Sequence, residues 1–282
     1  MLKRIFSFFI FIFVSFISFF LTSLSVKSIR ELDPILILIK KNKSLYEIDS
    51  VDAIVNDMII IPGISGISVD IDSSYELMKS YGGYNDNLLV FNEVVPTISI
   101  SDIYDRYVNS GNKDKKEVSF VFKVEDTNYL EEIVLILKEK DVIGTFFIDD
   151  NVVYESPDII RLLYLNNQNI ESLGVNGEYN FTNMNKMDYF YKSYISKKLN
   201  YCYCDSFNKD ILSICSSKKM HTIVPSINTL NYPYSDIRNS LDNGSIIKFN
   251  NNPRVIYELK YIINYIRQKD FKIVSLEKML KE

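Results

Sequence analysis

Behind Met1-Leu2-Lys3-Arg4 the chain is apolar from Ile5 to Leu24, interrupted only by Ser7, Ser15, Ser18, Thr22 and Ser23. Roughly 20 helical residues at about 1.5 Å each span a hydrocarbon core of about 30 Å. Small hydroxyl side chains bond back to their own turn and do not forbid such a span. The pattern therefore predicts a transmembrane helix within 1–27, its basic front keeping the N-terminus in the cytoplasm. Lys27 and Arg30 weaken that bias without cancelling it. A signal peptide cleaved after Ser23-Leu24-Ser25 is the alternative, since these residues have the small-residue spacing of a cleavage site. Either fate puts residues from about 28 onward outside the cytoplasmic membrane. The expected product is a single-pass membrane protein with an extracytoplasmic C-terminal domain, or a secreted one.

From 28 to 112 the hydrophobic runs are short. Leu45 to Ile48, Met58 to Ile61 before Pro62-Gly63, Leu88 to Phe91, and Ile98 to Ile100 after Pro96 read as strands. Ser73 to Ser80 predicts a short helix with a serine cap, ended by Gly82-Gly83. This stretch is expected to be a small, mostly β module. The polar run Ser110-Gly111-Asn112-Lys113-Asp114-Lys115-Lys116 closes it as a linker.

Over 113–282 the period changes to strand and helix in alternation. Val118 to Phe122 is a strand, followed by a helix capped at Asn128 with Glu131 in the capping-box position. Ile143 to Ile148 is a second strand, and Ser156-Pro157 opens a second helix. A helix near 207–217, strands at 222–227 and 245–249, a helix at 254–268 and a strand at 271–275 complete the pattern. Such alternation implies α/β architecture with a parallel sheet inside helices. Six or seven units in this length suit an incomplete barrel, with ligand sites at the C-terminal strand ends.

Composition narrows the chemistry. Lys plus Arg is 32 and Asp plus Glu is 36, a net charge of −4 that lacks the footprint of a nucleic-acid binder. There is one histidine, His221, so no site on this chain can use two imidazoles. It lies before a strand, at the wrong end for a barrel site, and reads as structural. The three cysteines have no zinc-finger spacing. A bond from Cys202 or Cys204 to Cys215 and a set of buried free thiols both remain open.

From about 117 to 280 the chain resembles the polysaccharide deacetylase family, the NodB homology domain. The resemblance rests on six segments in order: Ser119 to Phe122, Thr145 to Phe147, Ser156 to Ile160, Phe207 to Leu212, Gly244 to Ile247, and Phe271 to Leu276. It implies a distorted (β/α)7 barrel and, in the family, metal-dependent removal of acetyl groups from sugars. It also implies where the family's chemistry should lie, and those positions are changed. The two aspartates after the first strand correspond to Lys123 and Val124, the arginine falls near Tyr201, and the last histidine falls on Asn250. The stretch Asn169 to Asn180, where two metal-binding histidines are expected, has none. No catalytic residue and no bound metal or other cofactor are therefore expected.

Among the remaining candidates, Glu125 and Asp126 could act in a slipped register, or simply favour the next helix start. Asp149 and Asp150 follow the second strand, with Glu171 and Asp205 as further oxygen donors for a hard cation; solvated loop acids are the alternative. Of the 20 tyrosines, Tyr179, Tyr201, Tyr203, Tyr232 and Tyr234 fall near strand ends and could stack on sugars. Candidate binding residues are thus Glu125, Asp126, Asp149, Asp150, Tyr201, Tyr203, Asp205 and Asn250. Three functions follow: an inactive, membrane-anchored homologue binding cell-envelope polysaccharide or peptidoglycan; a structural protein with an envelope protein partner; and an active deacetylase with an atypical site.

Overall fold

A computed structural model of the chain describes residues 12–20 and 29–282. These divide into two compact units, one containing 29–50 and 65–94, the other 51–64 and 95–282. The expected transmembrane segment lies largely outside the described residues. Among the described residues, no helix is long and apolar enough to cross a membrane.

The larger unit carries the parallel sheet. Its strands are β1 (Tyr107–Val108), β2 (Glu117–Val124), β3 (Thr145–Ile148), β4 (Asn169–Ser172), β5 (Tyr201–Tyr203), β6 (His221–Ile223), β7 (Ile227–Asn228), β8 (Ile246–Asn250) and β9 (Lys272–Ile273). One sheet runs β7-β8-β2-β3-β4, with β9 also on β2, and a second runs β1-β6-β5. All of these named pairings are parallel. The helices between them are α1 (Leu130–Glu139), α2 (Asp150–Glu155), α3 (Asp158–Leu165), α4 (Phe181–Ile195), α5 (Lys209–Ser217), α6 (Pro233–Ser240), α7 (Pro253–Gln268) and α8 (Leu276–Leu280).

Strand alternation sorts the core into two layers. Phe120, Phe122 and Val124 of β2, with Phe146, Ile247 and Phe249, pack outward with the helices, where Phe122 stacks on Phe146 with ring centroids 4.6 Å apart. Val121, Phe147, Leu173, Tyr201, Tyr203, Ile223 and Ile246 form the inner cluster. Lys123 and Lys248 continue the inner parity, two residues beyond Val121 and Ile246. At about 25 cal/mol per Å² of apolar surface removed from water, these two layers are the main stabilising term.

The two sheets do not pair between β4 and β5. Glu171 spans that seam: its Oε2 accepts from the backbone N–H groups of Asn200 at 2.9 Å and Tyr201 at 3.1 Å. Burial raises the Glu171 carboxyl to about 8, against the lowering effects of Lys197 and the two N–H donors.

Several local expectations change. The linker does not separate the units, because β1 lies before it and pairs with β6. Residues 51–64 also join the larger unit, where Ile54–Val55 pairs antiparallel with Ile60–Ile61. Asn128 does not cap α1; Tyr129 holds that position with φ 59°, and Asn128 N–H donates to Asp126. Ser156 likewise makes no side-chain cap for α3, whose first turn follows Pro157.

The smaller unit is mixed rather than mostly β. A helix at Pro34–Asn42 and another at Ile71–Tyr81 accompany one antiparallel pair, Gly66–Asp70 with Val90–Val94. The second helix is capped by Asp70, whose carboxylate accepts from Ser73 N–H at 2.9 Å. Leu36, Ile39, Val69, Tyr75, Met78 and Leu89 form its core. The expected Leu88–Phe91 strand begins two residues late because Asn85 first caps a 3₁₀ turn at Asp86–Leu88.

Candidate functional site

The C-terminal end of β2 delivers Lys123 into the barrel mouth. Its Nζ lies 3.0 Å from Asp205 Oδ2 and 3.0 Å from Glu125 Oε1. Lys248 arrives from β8 on the same inner parity, and its Nζ donates to Asp205 Oδ1 at 2.9 Å. Tyr203 Oη donates to that same oxygen at 2.6 Å. Asp205 follows β5 in the second sheet, so one carboxylate gathers three donors carried by both sheets.

The electrostatics are those of a closed ion cluster. Burial would raise the Asp205 carboxyl, but hydrogen bonds from Tyr203, Lys248 and Lys123 outweigh it and hold it at about 2. Burial would lower the Lys123 ammonium, yet hydrogen bonds to Asp205 and Glu125 raise it. The Tyr203 phenol is pushed well above its ordinary value by burial and then by Asp205. Asp205, Lys123 and Tyr203 are each held in their ordinary charge state, which opposes a role as a proton shuttle near neutral pH.

The other predicted residues are held elsewhere. Asp126 Oδ1 accepts from Asn251 Nδ2 at 2.8 Å, tying the loop after β2 to the end of β8. Asp149 caps α2 through Asn151 N–H at 2.9 Å and accepts from Asn176 N–H at 2.6 Å. Asp150 is buried, accepts from Ser172 Oγ at 2.6 Å, and is raised by burial to about 6. Asn250 stands beside Lys123 in the β8–β2 ladder, with its Oδ1 buried and lacking a hydrogen-bond partner. Tyr201 is a buried residue of the inner layer rather than an open stacking platform. Among the described residues, no three His, Cys, Asp or Glu side chains are grouped to hold a metal. Asp149, Asp150, Glu171 and Asp205 are therefore not brought together.

The stretch after β4 explains part of that. Val175 and Glu178 exchange two backbone hydrogen bonds of 3.0 Å around Asn176 and Gly177, with φ 53° and 79°. This is the two-residue Asn-Gly hairpin turn, which needs positive φ at both centres. Tyr179 then turns inward, donating to Ser172 O at 2.9 Å and accepting from Tyr203 N–H at 2.8 Å. The Asn-Gly dipeptide was the available sequence signal for this turn.

Lys248 is not among the site residues expected from the sequence. Its signal is alternation: Ile246, Lys248 and Asn250 share one face while Ile247 and Phe249 share the other. His221 lies at the N-terminal start of β6, stacked on Tyr104 with ring centroids 4.5 Å apart, and burial lowers it to about 4. Cys202 is bonded to Cys215, and Cys204 is a buried free thiol pushed up by burial to about 12.

Beyond the ion cluster, a cleft of about 640 Å³ opens beside the C-terminal ends of β7 and β8. Its lining includes Asn231, Tyr232, Asn252, Arg254 and Tyr257. The Arg254 guanidinium lies 4.5 Å from the centre of the Tyr232 ring, and both tyrosines are exposed.

No family model matches this sequence. An uncharacterized Bacillus subtilis protein, YlxY, is 24% identical over 247 residues, covering 79% of this chain and 75% of that protein. The crystal structure of BA3943, described as a CE4 family pseudoenzyme from Bacillus anthracis, superposes with a TM-score of 0.69 and 22% identity. That match covers 89% of this chain and 96% of BA3943. The Bacillus subtilis family 4 carbohydrate esterase PdaA matches with a TM-score of 0.56 and 16% identity, over 63% of this chain and 85% of its own. The fold of this protein is thus that of the polysaccharide deacetylases of carbohydrate esterase family 4.

Proposed function

We propose that this protein is a membrane-anchored, extracytoplasmic polysaccharide deacetylase-like pseudoenzyme that binds cell-envelope glycan without cleaving it. The observation carrying this reading is the Lys123–Asp205–Lys248 cluster. It puts ammonium charge where the resemblance expects metal-binding carboxylate, a donor set that does not suit a divalent cation. In a metal-dependent deacetylase such an ion polarises the acetyl carbonyl and lowers the pKa of the attacking water.

Two features support the positive half. The cleft beside β7 and β8 offers two exposed phenol rings, a guanidinium and amide side chains, a set able to stack on and hydrogen-bond to sugars. Residues 12–20 are helical and exposed throughout, as an apolar helix is when its surroundings are lipid. A similar structure, the Bc1960 protein, is described as a peptidoglycan N-acetylglucosamine deacetylase, which makes peptidoglycan the first glycan to test.

The full chain, in detergent, should co-sediment saturably with insoluble peptidoglycan. A Tyr232→Ala, Tyr257→Ala double variant should lose most of that binding. Release of acetate from an N-acetylated glycan with added zinc would instead establish an active deacetylase with an atypical site. Absence of sedimentation above a control protein removes the glycan reading. It would favour an envelope protein partner, for which the smaller unit has a groove of about 510 Å³ containing Tyr46, Ile67 and Phe91.

A further inference from the structure

The helix Pro34–Asn42 is apolar on two opposite faces. Leu36 and Ile39 point into the core of the smaller unit, while Pro34, Ile37, Leu38 and Lys41 are all exposed. Those four positions are i, i+3, i+4 and i+7, a single stripe of a 3.6-residue helix. Ile37 is 48% exposed and Leu38 38%, and upstream Ile29 and Leu32 are 71% and 76% exposed. The opposite side of this segment is held down by polar contacts. Arg30 pairs with Asp72 at 2.6 Å, Tyr75 Oη donates to Asp33 at 3.1 Å, and the Arg30 guanidinium lies 4.7 Å from the Tyr75 ring centre. The apolar stripe is therefore fixed outward rather than free to turn in.

A helix that is hydrophobic all round belongs in a core or against lipid. The sequence supplies the cover. The apolar run Ile5 to Leu24 ends five residues before Ile29. Five residues reach at most about 18 Å, at about 3.6 Å each. If Ile5 to Leu24 is inserted, Ile29 must lie near the headgroups, with the stripe starting five residues further on. Lys41 ends the stripe, and its long stem allows the ammonium to reach the interface.

We propose that the Pro34–Asn42 helix is an interfacial foot: its Pro34, Ile37, Leu38 and Lys41 face lies on the bilayer surface and seats the smaller unit there. The proposal rests on the anchor reading above, and its occupant is lipid rather than a protein partner. A foot of this kind fixes the orientation of the smaller unit to the membrane plane.

The test uses the full chain in phosphatidylcholine–phosphatidylglycerol vesicles, in a Cys204→Ser background. Nitroxide labels go at Phe16→Cys, Ile37→Cys, Leu38→Cys and, as an aqueous control on the same unit, Tyr81→Cys. Collision of each label with oxygen and with a water-soluble nickel chelate is then measured. The expected oxygen-to-nickel ratio is highest at 16 and several-fold higher at 37 and 38 than at 81. A ratio at 37 and 38 equal to that at 81, with 16 still deep, overturns the foot and leaves the anchor intact. Low collision with both reagents at 37 and 38 also overturns it, because protein would then cover the stripe. A label at 16 as water-exposed as that at 81 overturns the anchor, and the foot with it.

Discussion

Lys123 Nζ and Asp205 Oδ2 stand 3.0 Å apart, and that contact joins β2 of one sheet to the loop after β5 of the other. Lys248 reaches the same carboxylate from β8. The Lys248 side chain is only 9% exposed and that of Asp205 50%, so removing the acid strands a buried ammonium while water partly reaches the site. Breaking a buried pair costs about 3–5 kcal/mol and an exposed pair about 0–1. Asp205→Ala should therefore lower unfolding free energy by roughly 2 kcal/mol. In urea titrations, Asp205→Leu with Lys248→Met should recover part of that loss. Equal stability of Asp205→Ala and the natural chain would show that the cluster does not clasp the sheets.

The same carboxyl sets an acid limit. Its folded value of about 2 lies below its ordinary 3.8, so its contribution is present above about 4 and is lost as pH falls toward 2. The natural chain should thus lose stability faster than Asp205→Asn between pH 4 and pH 2, followed by thermal melting.

Glu171 works with the opposite sign. Its folded value of about 8 exceeds its ordinary 4.5, so its contribution is complete below 4.5 and disappears as pH rises through 8. Relative to Glu171→Gln, the natural chain should become progressively less stable from pH 5 to pH 8. The slope cannot exceed about 1.4 kcal/mol per pH unit for one proton. A difference independent of pH would mean that the seam holds a carboxylate already ionised at pH 5.

The disulfide closes a short loop, with Cys202 and Cys215 separated by 13 residues. Replacing both by alanine should cost about 3 kcal/mol, the figure for a loop of about 15 residues. Cys204 should stay unreactive toward a thiol reagent at neutral pH until the protein unfolds, because burial disfavours its thiolate.

Gly174 has φ +76°, and a Cβ there would lie 2.3 Å from Glu178 O. Gly174→Ala should destabilise by about 2 kcal/mol or more, since both the backbone region and the space are wrong for a side chain. Gly177→Ala, with nothing within 4 Å of its Cβ but φ +79°, should cost less. Melting temperatures of the two variants separate these contributions.

Hydrophobic periodicity determined much of the strand and helix order after 117, because period 2 and period 3.6 are written in neighbouring residues, but the strand Asn169–Ser172 and the helices Phe181–Ile195 and Pro233–Ser240 escaped it. The sequence also shows a single histidine and an apolar run from Ile5 to Leu24, and its resemblance to the polysaccharide deacetylases implies that Lys123 and Val124 stand where acids are expected. Only the tertiary structure decided what surrounds those positions. The expected β module, with its one predicted helix, gained a second at Pro34–Asn42, and 51–64 joined the larger unit, because short apolar runs such as Ile60–Ile61 carry too few residues to fix a partner. Asp149 became a cap and Asp150 a buried acid beside Ser172, since a carboxylate's role depends on donors distant in sequence. Lys248 looks like any lysine in a strand until β8 is laid beside β2 in register. Asp205, 82 residues from Lys123, then closes the cluster. Alternation is local and legible; the pairing of charges from different strands depends on register and curvature, which are properties of the folded sheet.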